Sequence, residues 1–395
     1  RDDVESRGLG DVYKRQDDVR ALALQAKKYP DIDMPTVITQ IAGRQVAAEK
    51  IPSWREIEEI WYPKHLSLEQ CSSEITARYK ARLLQGDSLT DLTGGFGIDC
   101  SFLATGFKSA TYVERQEELC EIAAHNFPIL NLNHINVRNE DGVAYLQSMS
   151  PVDCIFLDPA RRNEHGGKTV AISDCEPNVA ELEALLLNKA NRVMIKLSPM
   201  LDLSLALKEL KHTQEIHILS VNNECKELLI LLGQTSPTEI TIHCVNLLTK
   251  GTQEEQHLVF TREQEQRSQC TYTDSLGNYL YEPNASLLKA GAFRSIAAAY
   301  PVRKLHPNSH LYTSDSFIEN FPGRIFRIVN QCSFNKKEVK ENLADLKKAN
   351  VTVRNFPATV AELRKRLHLT EGGDTYLFAS TLNNGQKVLI RCEKV

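Results

Sequence analysis

Between residues 86 and 233, strand-like and helix-like segments alternate without interruption, and no other feature limits the possible folds as tightly. SLTDL, SATYVE, INVRN, VDCIFLD and RVMIKL have the composition of strands. IDCSFLATG, EELCEIAAHNFPIL, GVAYLQSM, NVAELEALLLNKA and LSLALKEL place apolar residues at helical spacing between and after them. Alternation at these lengths builds βαβ units, and hence an α/β protein with a sheet parallel over most of its width. The last two strands, EIHILSV and KELLILLG, lie too close for a parallel crossover and fit an antiparallel hairpin. A seven-stranded sheet follows, five parallel strands and a returning pair.

The flanks differ in character. Residues 17–85 have helical periodicity in VRALALQAKKY, PTVITQIAGRQVAAEKI and SSEITARYKARLL. Ser72, ahead of Glu74 and Thr76, marks a helix start. Beyond residue 234, TEITIHCVNLL and HLVF are strand-like, and the polar TREQEQRSQC has the look of a boundary or surface loop. Residues 279–322 mix short helices and turns, while 323–395 follow the order β-α-β-α-β-β of a compact α+β domain. At 395 residues the chain has room for two or three cores. The expected segments are 1–16, a non-native or disordered end; 17–85, helical; 86–234, the α/β domain; 235–322, a linker and a further module; and 323–395, the α+β domain.

No apolar run approaches the ~18 to 20 residues that a bilayer span requires, so no membrane association is expected. The ten cysteines stand singly, with no CxxC, and several, such as Cys154 in VDCIFLD, sit in apolar runs. They predict buried thiols in a reducing cytoplasm and no metal centre. Net charge is −4, unevenly spread: residues 323–395 hold 14 Lys and Arg against 7 Asp and Glu, so this end carries +7 and the remainder −11. A basic module on an acidic body predicts a polyanionic partner.

The turn Asp91-Leu92-Thr93-Gly94-Gly95-Phe96-Gly97-Ile98-Asp99 leaves a strand and opens a helix, so its glycines permit close backbone approach to a ligand at the carboxyl ends of the strands. From Gly95 the chain lacks the third glycine of a dinucleotide fingerprint, which disfavours a nicotinamide enzyme. Asp91 would also oppose a pyrophosphate, whereas the amino group and sulfonium of S-adenosylmethionine (SAM) are cationic. Glu114 ends the next strand, where a carboxylate can accept ribose hydroxyls, and Asp141 follows the third, within reach of an adenine amino group. The fourth strand ends in LDPARR. Asp158 there, beside a backbone fixed by Pro159, can accept hydrogen bonds from an amino group and aim its lone pair at a methyl carbon. Arg161 can stack on a base or bind phosphate, and the polar loop NEHGGKTVAISDCEPN, with His165 and Lys168, can clamp a substrate. Lys196-Leu197-Ser198-Pro199, at the end of RVMIKL, can close the far side of the pocket, although a surface charge at the strand end is the commoner role for such a lysine.

With DLTGGFGID, VERQ, NEDG, LDPARR and IKLSPMLD, the chain resembles the class I SAM-dependent methyltransferases that carry ferredoxin-like and THUMP-like C-terminal domains. LSLEQCSSEITARYKARLL is similar to that family's helix before the first strand, YLYEPNASLLKAGAFRSIA to its ferredoxin-like module, and ANVTVRNFPATVAELRKRLHLTEGGDTYLFAS to its THUMP-like module. The resemblance runs from about residue 47 to the end and implies a Rossmann-like methyltransferase sheet. It also implies SAM contacts at Asp91, Thr93, Gly95, Gly97, Glu114 and Asp141, a catalytic corner at Asp158, Pro159 and Arg161, and an RNA substrate, rRNA or tRNA. Amino-methylating relatives place an aromatic residue after a Pro-Pro pair, where this chain has Ala160 and Arg161. The uracil C5 methyltransferases share DPAR but need a cysteine soon after the fifth strand, and KLSPMLD has none. A nitrogen of an RNA base is therefore the expected acceptor. The other reading is a non-catalytic RNA-binding or ribosome-assembly factor built on a SAM-binding fold.

Overall fold

The computed structural model describes residues 18–162 and 171–395. The expected non-native end at 1–16, together with His165 and Lys168, lies outside the described residues. Two compact units are present: the described residues up to Thr213 with Leu229–Ser236, and Gln214–Leu228 with Pro237–Val395. Among the described residues no helix is long and apolar enough to cross a membrane.

In the first unit, strands β1 (Gly86–Asp91), β2 (Phe107–Glu114), β3 (Ile135–Asn139) and β4 (Val152–Leu157) are followed by two-residue strands β5 (Ala160–Arg161) and β6 (Cys175–Glu176) and by β7 (Ala190–Leu197). Pairings β1 with β2, β1 with β4, β2 with β3 and β4 with β7 are all parallel. The order is therefore β7-β4-β1-β2-β3. Succession runs outward from β1 to β3 and then jumps back to β4, so the carboxyl ends of β1 and β4 flank the switch point where open α/β sheets bind ligands. Helix α1 (Glu117–Ile129) shows how such helices arise: Leu119, Cys120, Ile122, Ala123, Asn126 and Phe127 recur at three- and four-residue spacing and are buried.

The N-terminal helices belong to the same unit and share its core. Ala47, Ile51, Trp54, Tyr62 and Ala77 cluster with Phe96 and Ile98 of the glycine turn, and the Trp54 ring meets Phe96 edge-on at 5.2 Å. Asn126 locks this layer to α1, accepting from the Trp61 amide at 2.8 Å and donating to the Trp61 carbonyl at 2.9 Å.

The returning pair is β8 (Thr213–Val221) and β9 (Glu224–Leu232), joined by Asn222 and Asn223 with φ of 47° and 66°. Two successive left-handed residues make the tight reversal that suits strand twist, and asparagine tolerates that backbone. In the second unit, β10 (Thr241–Leu247) runs parallel to β8 and β11 (Glu255–Thr261) antiparallel to β10. The stretch TREQEQRSQC, expected as a loop, contains a helix, Arg262–Arg267, started by a capping box between Thr261 and Gln264. Its strong polarity hid a T-x-x-Q start signal.

A second sheet, order β13-β14-β12-β15-β18-β17-β16, comprises β12 (Tyr279–Pro283), β13 (Arg303–Lys304), β14 (Tyr312–Ser314), β15 (Gly323–Ser333), β16 (Asn350–Val353), β17 (Thr375–Thr381) and β18 (Lys387–Lys394). Helices α2 (Lys336–Leu343) and α3 (Val360–Leu367) bury Leu343 and Leu363 against Cys332, Leu377, Ala379 and Leu389. Lys336, Lys337, Lys340 and Lys365 on these helices and Lys347 and Lys348 between them are exposed, while Arg391 pairs with Asp345 and Arg324 with Glu282.

Candidate active site

Each acid of interest stands at the carboxyl end of its own strand. Asp91 closes β1 and is 1% exposed, with one oxygen accepting from the Thr93 amide at 2.9 Å. Gly94 follows with its amide bonded to the Val113 carbonyl at 2.8 Å, and a Cβ there would sit 2.3 Å from the Tyr112 ring. Gly95 and Gly97 have φ of +56° and +92°, a left-handed backbone open to glycine. The Gly95 amide donates to Glu114 Oε1 at 3.1 Å and the Gln116 amide to Glu114 Oε2 at 2.7 Å, so the turn and the end of β2 fix one another. Asp141 caps the helix Gly142–Ser148, accepting from the Ala144 amide at 3.0 Å. The Asp158 amide donates to Thr93 Oγ1 at 2.7 Å, tying the LDPARR corner to the glycine turn.

These ends border a cavity of about 400 Å³ lined by Thr93, Glu114, Asp141, Asp158 and Arg161, with apolar Leu92, Val143 and Leu146 among its walls. Asp91, Gly95 and Gly97 stand behind that lining and shape it. A larger cavity of about 570 Å³ lies at the amino ends of β4 and β7, bounded by Pro151, Val152, Ala190 and Asn191. Ligand sites of such sheets occupy the opposite end, so the smaller cavity is the candidate.

Burial pushes the Asp91 carboxyl well above the usual carboxylate range; the Thr93 amide opposes this, and the charges of Asp99, Asp158 and Glu114 add to it. Acids thus crowd one end of the sheet. Lys196, expected on the surface, instead has a side chain only 11% exposed and its Nζ lies 3.4 Å from Asp158 Oδ2. Strand β7 is covered from Val193 to Leu197, and the lysine reaches inward to the acids. It donates to Ser72 Oγ at 2.8 Å and stands 4.0 Å from Asp99 Oδ2. Lys80, wholly buried, donates to Ser72 Oγ at 2.7 Å and pairs with Asp99 at 2.8 Å. Ser72 donates in turn to Asp99 Oδ2 at 2.8 Å, so its one proton and both lone pairs are used. Burial opposes ionisation of Asp99, yet Lys80 and Lys196 hold its carboxyl below the ordinary value. Two cations balance two carboxylates, and the network holds Asp158 in place.

The sequence reading took Ser72 as a helix start, whereas Ser73 caps that helix, and it gave Lys80 and Asp99 no role at the site. Lys80 does carry a signal: it falls on the same helical face as Thr76 and Ala77, both buried. At the other edge of the corner, β5 pairs antiparallel with β6, and the Arg162 amide donates to the Asp174 carbonyl at 2.9 Å. The described part of the expected loop is therefore built structure, with Ile172 fully buried. Arg161 sits on that ribbon, its Nη1 3.7 Å from Met200 Sδ.

Gly142 sets how closely the third acid approaches the turn. A Cβ at this position would lie 2.3 Å from the Leu92 carbonyl oxygen. Gly142→Ala is expected to push the Asp141 helix away from β1 and to cost about 1–3 kcal/mol in denaturant unfolding.

The glycine turn, the strand-end acids and the buried lysine are set in a fold whose likeness to a solved structure spans nearly the whole chain. A crystal structure of a putative methyltransferase from Porphyromonas gingivalis W83 superposes with a TM-score of 0.84 at 36% identity, covering 95% of this chain and 97% of that one. This chain belongs to that methyltransferase family. Consistent with it, residues 279–322 match the ferredoxin-like domain model and residues 323–394 the THUMP domain-like model. Slighter likenesses include an rRNA methylase from Streptococcus thermophilus, at 15% identity and a TM-score of 0.32 over 40% of this chain and 94% of that one. Another is a putative methyltransferase from Streptococcus mutans in complex with SAH, at 12% identity and 0.30 over 41% and 97%. Likeness this slight carries no argument about function. No curated protein matches the chain.

Proposed function

We propose that the chain transfers a methyl group from SAM to a nitrogen of an RNA base, in rRNA or tRNA. The observation that carries this reading is the convergence of Thr93, Glu114, Asp141 and Asp158 on one cavity at the switch point of a methyltransferase-family sheet. The residues present fit the cofactor. About 400 Å³ lies within the usual range for small-molecule sites. Its electrostatics favour a cation, because burial beside Glu114 disfavours ionised Asp91 until positive charge arrives.

Glu114, its oxygens held by two amides, would accept the ribose hydroxyls, and Asp141 with Leu92, Val143 and Leu146 would border the adenine. Thr93 would contact the amino acid end, with Asp91 acting on it through charge. When bound, SAM supplies an electrophilic methyl group. Asp158 would accept a hydrogen bond from the acceptor amino group and direct its lone pair at that carbon. The nitrogen–carbon bond would form as the sulfur–carbon bond breaks, S-adenosylhomocysteine would leave, and the surplus proton on nitrogen would pass to the Asp158 carboxylate and on to solvent. Lys196 keeps the carboxylate from swinging away, Pro159 fixes the backbone beside it, and Arg161 binds phosphate or base at the cavity edge. The exposed lysines of the THUMP-like domain would hold the RNA backbone, so binding should weaken with salt.

Calorimetry with SAM, then incubation of labelled SAM with total RNA from a deletion strain and digestion to nucleosides, tests the proposal. One equivalent of SAM and a labelled, nitrogen-methylated nucleoside are expected. Absence of heat overturns the cofactor assignment. SAM binding without label in any nucleoside supports instead a non-catalytic RNA-binding or ribosome-assembly factor.

A further inference from the structure

Three histidines stand side by side on the strands of the second unit. His217 on β8 is in register with His243 on β10, and His257 on β11 stands opposite Val245, two residues along from His243 and so diagonal to it. Glu215 precedes His217 by two residues on β8, so its side chain shares that face. The rings of His217 and His243 stack at 4.2 Å with planes 6° apart. Glu215 Oε1 lies 3.1 Å from His217 Nε2 and 3.5 Å from His243 Nε2. One ligand atom from each of the three residues falls within 4.8 Å of the others, the only such group among the described residues.

We propose that Glu215, His217 and His243 bind a divalent cation of the zinc class, with His257 holding His243 in the ligating tautomer. Zinc takes imidazole nitrogen and carboxylate oxygen at roughly 2.0–2.2 Å, so tetrahedral ligand atoms stand roughly 3.3 Å apart. The separations of 3.1 and 3.5 Å already match, and the two stacked rings would turn out of their parallel arrangement to converge on one ion. Three protein ligands leave a fourth position for water. His243 Nδ1 lies 3.0 Å from His257 Nε2, and a proton on Nδ1 directed there leaves the Nε2 lone pair facing Glu215, the second-sphere arrangement usual for metal-bound histidine. Two parallel strands, β8 and β10, supply all three ligands, so the ion would staple them. His217 is 2% exposed, whereas His243 and Glu215 have side chains 20% and 32% exposed, giving an entry path from solvent. The expectation of no metal centre rested on cysteine spacing and passed over these histidines, each alone on its own strand.

The test uses the full chain, free of affinity tag and stripped by chelator, and reads no methyl transfer. Titration with zinc chloride is expected to show one saturable equivalent and a raised melting temperature, and cobalt(II) the visible absorption of tetrahedral nitrogen and oxygen coordination. His243→Gln should abolish the cobalt band, and His257→Gln should weaken zinc roughly 10- to 100-fold. Glu215→Gln, at a part-exposed position, should likewise weaken zinc and serves if the histidine variants fail to fold. Zinc affinity unchanged by Glu215→Gln, or wild-type protein taking up no zinc, overturns the proposal.

Discussion

Asp158→Ala is expected to lower methyl transfer by ~10² or more while SAM affinity stays within about threefold. The geometry separates the two effects. SAM would rest on Thr93, Glu114 and Asp141, which keep their partners in the variant, and the Asp158 amide that holds Thr93 Oγ1 at 2.7 Å is backbone and survives. What disappears is the carboxylate proposed to orient the acceptor. Lys196 retains Ser72 at 2.8 Å and Asp99 at 4.0 Å, so the network does not collapse. Single-turnover transfer and calorimetry, run side by side, read the two quantities. A parallel loss of SAM affinity would show that Asp158 supports the cofactor rather than the acceptor.

Lys80→Ala is expected to be the most destabilising single change in the network, by about 3–5 kcal/mol, since it strands one half of a buried ion pair. Asp99 would keep Ser72 and Lys196 at the far side, but lose the 2.8 Å partner on Oδ1. The melting temperature should fall by roughly 6–12 °C at the lower end of that cost. Lys80→Met combined with Asp99→Leu should recover much of this loss, because neither charge is then left alone. The pH dependence has a definite sign. Asp99 has a depressed carboxyl in the folded state, so its contribution is full above the unfolded value of about 4 and is lost as pH falls through the folded pKa. The gap between wild type and Lys80→Ala should therefore narrow as pH is lowered below about 4. Thermal melts across that range decide it: a constant gap would mean that Lys80 contributes packing rather than charge.

The family resemblance and the physical reading agree because both rest on local features. DLTGGFGID, VERQ, NEDG and LDPARR are each short, and each strand end carries its own acid, so adjacency in the sheet follows once βαβ alternation is recognised. Misreadings occurred where local character conflicted with surroundings. Lys196 has a surface residue's chemistry on a strand covered from both sides. The helix Arg262–Arg267 has no buried residue, so no apolar period announced it.

Sequence alone determined the alternating α/β order, the glycine turn and the acids at the tips of β1 to β4, since periodicity, turn chemistry and strand ends are encoded within a few residues. Tertiary structure alone decided which of those acids are neutralised and how. Ser72 and Lys196 are 124 residues apart, and they meet because β4 lies between β1 and β7 while the N-terminal helices pack on the glycine turn. The histidine cluster arises the same way, from β10 pairing in register beside β8. Contacts across such separations depend on strand order and burial, and a lysine or histidine reveals neither until its neighbours are in place.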